Sequence, residues 1–190
     1  MKRKHLMWAA AIIAVIAAAL FLCNKAGWYL VIRDGDTGQV CAKYPLDEGD
    51  SFAVGFIHSV NKSPLIDVYY IEDKQIYVEE TIYYGFGAGV QTELNPGEEL
   101  SYGPDGAMIV SNIHKCFSNG SLLCSVGMAS DKTLLMGDVL GHYTDALDRV
   151  GVYVDEAETQ VDIGELRVVS LSNVCGRYSV VSINYQWQWF

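Results

Sequence analysis

The sequence predicts an all-β domain, an antiparallel β-sandwich or partly closed barrel with at most one or two short helices, preceded by a single N-terminal transmembrane helix. Three observations predict it. The first is an apolar run from Leu6 to Cys23 that contains no charge and no proline. The second is a series of short segments rich in Val, Ile and Tyr, divided by turn signals built from Gly, Asp, Asn and Pro. The third is period-two alternation in the segments Ser51 to Val60 and Arg177 to Trp189.

The apolar run comes first along the chain. At about 1.5 Å per helical residue it approaches the ~30 Å hydrocarbon thickness of a bilayer. Met1-Lys2-Arg3-Lys4 precedes it, and Lys25 is the nearest charge beyond it. The positive-inside bias then places the N-terminus in the cytoplasm and the rest outside. Three fates fit such a segment: cleavage after Ala17-Ala18-Ala19, lipidation at Cys23, or retention as an anchor. Leu20-Phe21-Leu22 prolongs the apolar stretch past the alanines, and Leu22 occupies the place where a lipoprotein carries a small residue. The expectation is therefore an uncleaved anchor. Residues 1–27 form a basic tail and membrane anchor, and residues 28–190 form an extracytoplasmic β-rich domain at the cell membrane.

Charge narrows the partners of that domain. The chain has 13 basic and 23 acidic residues, and four of the basic ones lie before Trp28 while every acidic one lies after it. The domain thus carries an excess of fourteen negative charges. Nucleic acid is excluded as a partner, since it needs Lys/Arg stripes.

The elements follow in order. Trp28 to Arg33 and Gln39 to Tyr44 read as strands around the turn Asp34-Gly35-Asp36-Thr37-Gly38. In Ser51 to Val60, the residues Phe52, Val54, Phe56, His58 and Val60 share one face. Asn61-Lys62-Ser63-Pro64 is a turn, followed by strands Leu65 to Glu72 and Gln75 to Tyr84. Gly85 to Pro104 reads as a long loop, and Tyr143 to Arg149 as a short helix. Asp162 to Asn173 is open between strand and capped helix. In the last strand Val181, Ile183, Tyr185, Trp187 and Trp189 share one face, with the two tryptophans available to a core, a partner or a membrane surface.

Four cysteines, Cys41, Cys116, Cys124 and Cys175, lie beyond the anchor and permit up to two disulfides in three connectivities. Ile113 to Met128 reads as a hairpin around Ser118-Asn119-Gly120-Ser121. A three-residue loop sets Cys116 opposite Cys124, whereas a two-residue loop puts them on opposite faces.

The strongest chemical candidate is the segment Phe56 to Pro64. His58 and Ser59 are adjacent on a strand and point to opposite faces, so His58 cannot take the Ser59 proton. If the hairpin closes on Asn61 to Pro64, His58 faces Asp67 instead, and the carboxylate orients the imidazole. Gly87-Ala88-Gly89, in a glycine-rich loop after a strand, can turn backbone N–H groups toward a small anion. No phosphate-loop lysine follows it. Asp34 to Gly38 lacks the further ligands of a calcium loop. Asp138 and His142 have the spacing of a helical metal pair, but two ligands make no site. His114 alternates with apolar neighbours as a structural residue. No cofactor is expected.

The stretch from Phe56 to Gly89, with its IHSVNKSPLIDVYYI and YYGFGAG segments, resembles a bacterial family named domain of unknown function 1850. The resemblance is carried by His58-Ser59-Val60, Asp67 and Gly87-Ala88-Gly89, and covers about a fifth of the chain. Asp67 stands where a glutamate is usual, and Val90-Gln91 where Leu-Pro is usual. Members often accompany tripartite carboxylate transporters that use an extracytoplasmic solute receptor. The resemblance therefore implies an accessory role beside a permease or solute receptor; a ligand site, if the domain has one, is expected where the His58/Asp67 hairpin and the Gly87-Ala88-Gly89 loop converge on a small carboxylate or other anion. The functional expectation is a non-enzymatic, membrane-anchored accessory or anion-binding domain. The alternative is an exported hydrolase or metal-dependent enzyme using His58 and Asp67.

Overall fold

Residues 2–23, 26–85, 93–117 and 120–189 are described by a computed structural model. A helix, α1 (Lys2–Cys23), precedes strands β1 (Gly27–Asp34), β2 (Val40–Pro45), β3 (Ser51–Ile57), β4 (Pro64–Glu72) and β5 (Gln75–Tyr83). Then come β6 (Glu99–Tyr102), β7 (Met108–Ser111), β8 (Lys115–Cys116), β9 (Ser121–Ser125) and β10 (Thr133–Gly137). A short helix α2 (Val139–His142) leads through two 3-10 turns to β11 (Gln160–Ile163) and β12 (Leu166–Ser170). Helix α3 (Leu171–Cys175) and strand β13 (Val180–Gln188) complete the order.

The strands form two antiparallel sheets. A four-stranded sheet runs β2-β1-β13-β9, and a larger one runs β11-β12-β10-β3-β4-β5-β7-β6 with β8 also on β5. The all-β expectation holds, in its sandwich form. The turn chemistry explains the tightest connections. Asp34 Oδ1 accepts the N–H groups of Asp36 and Thr37 and the Thr37 hydroxyl, which folds β1 back onto β2. Asp73 and Lys74, at φ +49 and +61, close β4 onto β5 in the left-handed conformation that two-residue hairpins require.

Alternation sends side chains into two main cores, with a small third cluster of Tyr83, Met108 and Val110 beside them. Leu30 and Ile32 of β1 and Val181 and Ile183 of β13 pack against Phe52, Val54, Ile71, Leu134 and Met136 in the space between the sheets. The opposite face of the large sheet presents Ala53, Ile66, Val68, Ile82 and Leu135 to Val139, Tyr143, Ala146 and Val150. β3, β4 and β10 are therefore covered on both faces. Tyr143 to Ala146 forms a 3-10 turn, and regular helix lies just before it in α2, a displacement from the expected Tyr143–Arg149 helix. The ambiguous segment Asp162 to Asn173 resolves into the end of β11, all of β12 and the start of α3.

Two other readings are corrected. β6 occupies part of the expected loop from Gly85 to Pro104 and pairs with β7. Cys116 and Cys124 do not face each other: β8 pairs with β5 in the large sheet and β9 with β13 in the small one. The local turn signal is outweighed by long-range partners, and all four cysteines beyond α1 are free thiols.

In α1 the side chains of Met7, Trp8, Ile12, Ile13, Val15, Ile16 and Leu20 are exposed. Some α1 side chains lie outside the described residues, and among the described residues no helix is long and apolar enough to cross a membrane.

Candidate functional site

The β4–β5 hairpin positions the site. Its ladder sets Val68 opposite Glu80 but Tyr69 opposite Val78, so Glu79 is the extra residue of a β-bulge. Asp67 lies directly opposite Thr81, and the Thr81 hydroxyl donates to Asp67 Oδ1 at 2.8 Å. Period-two alternation puts Asp67 on the same face as Tyr69 and Ile71, toward the space between the sheets. Burial pushes the Asp67 carboxyl up, and the Thr81 hydrogen bond and the Lys132 charge partly oppose it.

Lys132 enters from the segment before β10, on the face shared with Leu134 and Met136. Its ammonium lies 3.0 Å from the centroid of the Phe56 ring, a cation–π contact. Burial pushes this lysine down to about 8, with Cys124 and Asp67 acting in the opposite direction. Cys124, from β9 of the facing sheet, is pushed up to about 11 by burial. Asp67, Thr81, Lys132 and Cys124 thus make a polar group at the end of an otherwise apolar interior. Such groups persist inside proteins only when charge and hydrogen bonding compensate their desolvation.

Asp67 and Thr81 open onto a cleft of about 730 Å³, bounded also by Asn112, His114, Cys116 and Phe117. Asn112 and His114 hold φ values of +61 and +41, a left-handed backbone that is sparsely populated outside glycine. The His114 ring stacks on Tyr77 at 4.8 Å, with its Nδ1 3.1 Å from Glu79 Oε2 and its Nε2 3.8 Å from Glu72 Oε2. The bulge has a direct role here. Glu79, freed from the β4 ladder, accepts the Ile113 N–H through its carbonyl and meets His114 with its carboxylate. The remaining lining includes Asn95, Glu98 and Lys115, a mixed polar wall rather than a positive one.

A second perturbed carboxyl lies one residue along β5. Glu80 is 8% exposed, its Oε2 is buried without a hydrogen-bond partner among the described residues, and burial followed by the Glu79 charge pushes it up to about 7.

His58 does not join Asp67. The observed register sets Val54 opposite Asp67 and Ile57 opposite Pro64. His58 is four residues beyond Val54, about 13 Å along an extended strand. The reason is the length of the turn. His58 N–H donates to the Ser63 carbonyl, and the Lys62 N–H donates to the His58 carbonyl, so the whole stretch from His58 to Ser63 is connection. His58 Nδ1 accepts the N–H groups of Val60 and Asn61, each at 3.3 Å, and clasps that turn. Ser59 is exposed at its tip. Gly87, Ala88 and Gly89 lie outside the described residues.

His142 sits between Asp138 Oδ2 at 4.0 Å and Asp145 Oδ2 at 3.3 Å, while Asp138 also accepts the Gly141 N–H as the cap of α2. Among the described residues no three His, Cys, Asp or Glu side chains converge to hold a metal ion. Lys132, Thr81 and Glu80 carry the perturbed chemistry without any motif. Thr81 opposite Asp67 is readable from sequence only after the register is known.

A family profile described as Domain of unknown function (DUF1850) matches residues 52–139, which supports the family resemblance read from the sequence. The match runs from β3 to the start of α2 and contains His58, Asp67, Thr81, His114 and Lys132. Comparison with curated proteins and with solved structures gives no match.

Proposed function

We propose that the chain is a membrane-anchored, extracytoplasmic accessory and binding domain, working beside a transport complex and taking a small polar ligand in the cleft above Asp67. The observation that carries this reading is the joining of an apolar N-terminal run, Leu6 to Cys23, to a β domain that has its own cores and an open polar cleft. Two features support it. The run is preceded by basic residues and His5, and its described side chains are apolar and exposed, as a lipid-facing helix requires. The cleft has the size of a small-molecule site and a few convergent polar groups at its wall.

The lining refines the ligand. Asp67 and Glu98 stand among His114, Lys115, Asn95 and Asn112. A carboxylate-bearing molecule with an amine or hydroxyl group matches that lining better than a simple anion. The enzymatic alternative rests on His58 acting with Asp67, and the register that separates them removes its support.

Two measurements test the reading. Alkaline carbonate washing should leave the full-length chain in the membrane pellet, and protease added to intact spheroplasts should digest the β domain. A chain released by carbonate, or protected from the protease, overturns the placement. In detergent, amino- and hydroxycarboxylates should raise the melting temperature, and Asp67→Asn should weaken that response about tenfold while His58→Ala preserves it. A flat response across the panel overturns the assignment of the cleft.

A further inference from the structure

Away from the cleft, two thiols meet across the edge of the sandwich. β2 is the outer strand of the small sheet, and its pairing with β1 slips between Ile32 and Arg33. Ile32 faces Ala42 and Arg33 faces Val40, which leaves Cys41 as the extra residue of a β-bulge. A bulge re-aims the side chain it carries. Cys175 is the last residue of α3, which packs on β2, and Gly176 at φ +90 turns the chain away immediately after it. Both cysteines lie half-buried on the rim of the core between the sheets. The two side chains lie close enough to interact, and burial followed by this interaction pushes the Cys175 thiol well up, while the Cys41 thiol donates to the Gln39 carbonyl at 3.8 Å.

We propose that Cys41 and Cys175 form a disulfide that ties the edge strand β2 to α3 when the folded chain meets a disulfide-bearing oxidant, either a thiol–disulfide exchange protein or oxidised glutathione. Its formation in the cell rests on the extracytoplasmic placement proposed above, since thiols in the cytoplasm are kept reduced. In the first step one cysteine thiolate attacks a sulfur of the oxidant, forming a mixed disulfide and expelling one thiolate. The second cysteine loses its proton and attacks the protein sulfur, expelling the other. The two protein thiols are oxidised, the oxidant's disulfide is reduced to two thiols, and the two protons end on those thiols. The raised Cys175 thiol makes this slow at neutral pH and faster as pH rises.

The other two cysteines are placed differently. Cys116 donates to Gln75 Oε1 at 3.2 Å on the large sheet, and Cys124 is held in β9 on the small one. The 41–175 link would also close a loop spanning most of the domain, the arrangement that most restricts an unfolded chain.

The test uses the full-length protein. Cells are lysed into an alkylating agent without reductant, and the extracted chain is mapped by peptide mass. The expected result is a linked peptide pair containing Cys41 and Cys175, lighter by two hydrogens than the separate peptides, with Cys116 and Cys124 alkylated. Reduction should lower the melting temperature by roughly 10 °C, and the double variant Cys41→Ser/Cys175→Ser should show no response to reductant. In parallel, the reduced, folded chain is incubated with oxidised glutathione. A 41–175 bond formed there but missing in cells upholds the pair and overturns the placement. Glutathione retained on either cysteine, a bond to Cys116 or Cys124, or no bond at all overturns the pair.

Discussion

Glu80 shows how one side chain can tilt the stability of the domain. Its carboxyl is pushed up to about 7 by burial and by Glu79, against roughly 4.5 when unfolded. Between those values the native chain binds more protons than the unfolded one, so stability is greatest below about pH 4.5 and falls as pH rises through 7. Comparing Glu80→Gln with the wild type in urea from pH 4.5 to 8.5 should show the variant gaining up to about 3 kcal/mol across that window. A constant difference would mean that Glu80 does not carry the proton. Lys132 acts in a separate window. Its amine is pushed down to about 8, so the unfolded chain holds the extra proton above that value and stability rises with pH from 8 toward the unfolded value. Lys132→Met should remove that rise in the same urea series. Neither residue announces itself in sequence. A glutamate in a strand reads as solvent-facing until the covering layer over it is known, and Lys132 falls in the segment with the weakest periodicity.

At the scale of elements, the most exacting piece is the start of α3. Asp131 is fully buried, accepts the N–H groups of Lys132 at 2.7 Å and Ser172 at 3.0 Å, and takes the Ser170 hydroxyl as well. The same stretch is stapled to β3 and to the turn after Arg149. The Ile57 N–H donates to Ser130 Oγ, the Gly151 N–H to Thr133 Oγ1, and the Asp131 N–H to the Gly151 carbonyl. Asp131→Ala removes the acceptor of the buried Ser172 N–H and of the part-buried Lys132 N–H, leaves the Ser170 hydroxyl with Ser172 Oγ alone, and should destabilise the domain by about 3 kcal/mol, with Asp131→Asn losing less, as read by urea unfolding. Alternation made β3 and β13 legible, since Phe52, Val54, Val181 and Ile183 do face the core. Connections were less legible. Asn61-Lys62-Ser63-Pro64 gives the place of a turn but not its length, and that length moved Asp67 from His58 to Val54. Asn119-Gly120 is a turn signal in the sequence, yet β8 and β9 on its two sides belong to different sheets.

For the molecule as a whole, the first and last strands are partners. Gly27 pairs with Gln188 and Asp34 with Val181 along the full length of β1 and β13. β13 is an inner strand, pairing also with β9, and it contributes Val181, Ile183 and Tyr185 to the core between the sheets. A chain ended at Ser179 should therefore lose its cooperative melt and its near-ultraviolet circular dichroism while keeping some strand signal. The sequence shows both strands clearly, but not that they are neighbours, because pairing across so long a separation leaves no local trace.

That pairing also sets a clock. Synthesis at roughly 5–20 residues per second puts about 7 to 30 seconds between the appearance of β1 and that of β13. Throughout that interval β1 has β2 as its sheet neighbour on one side and an unpaired edge on the other. Losses during production should then follow how long the early strand waits, and slower translation over the second half of the chain should lower the yield without altering the stability of the molecules that finish.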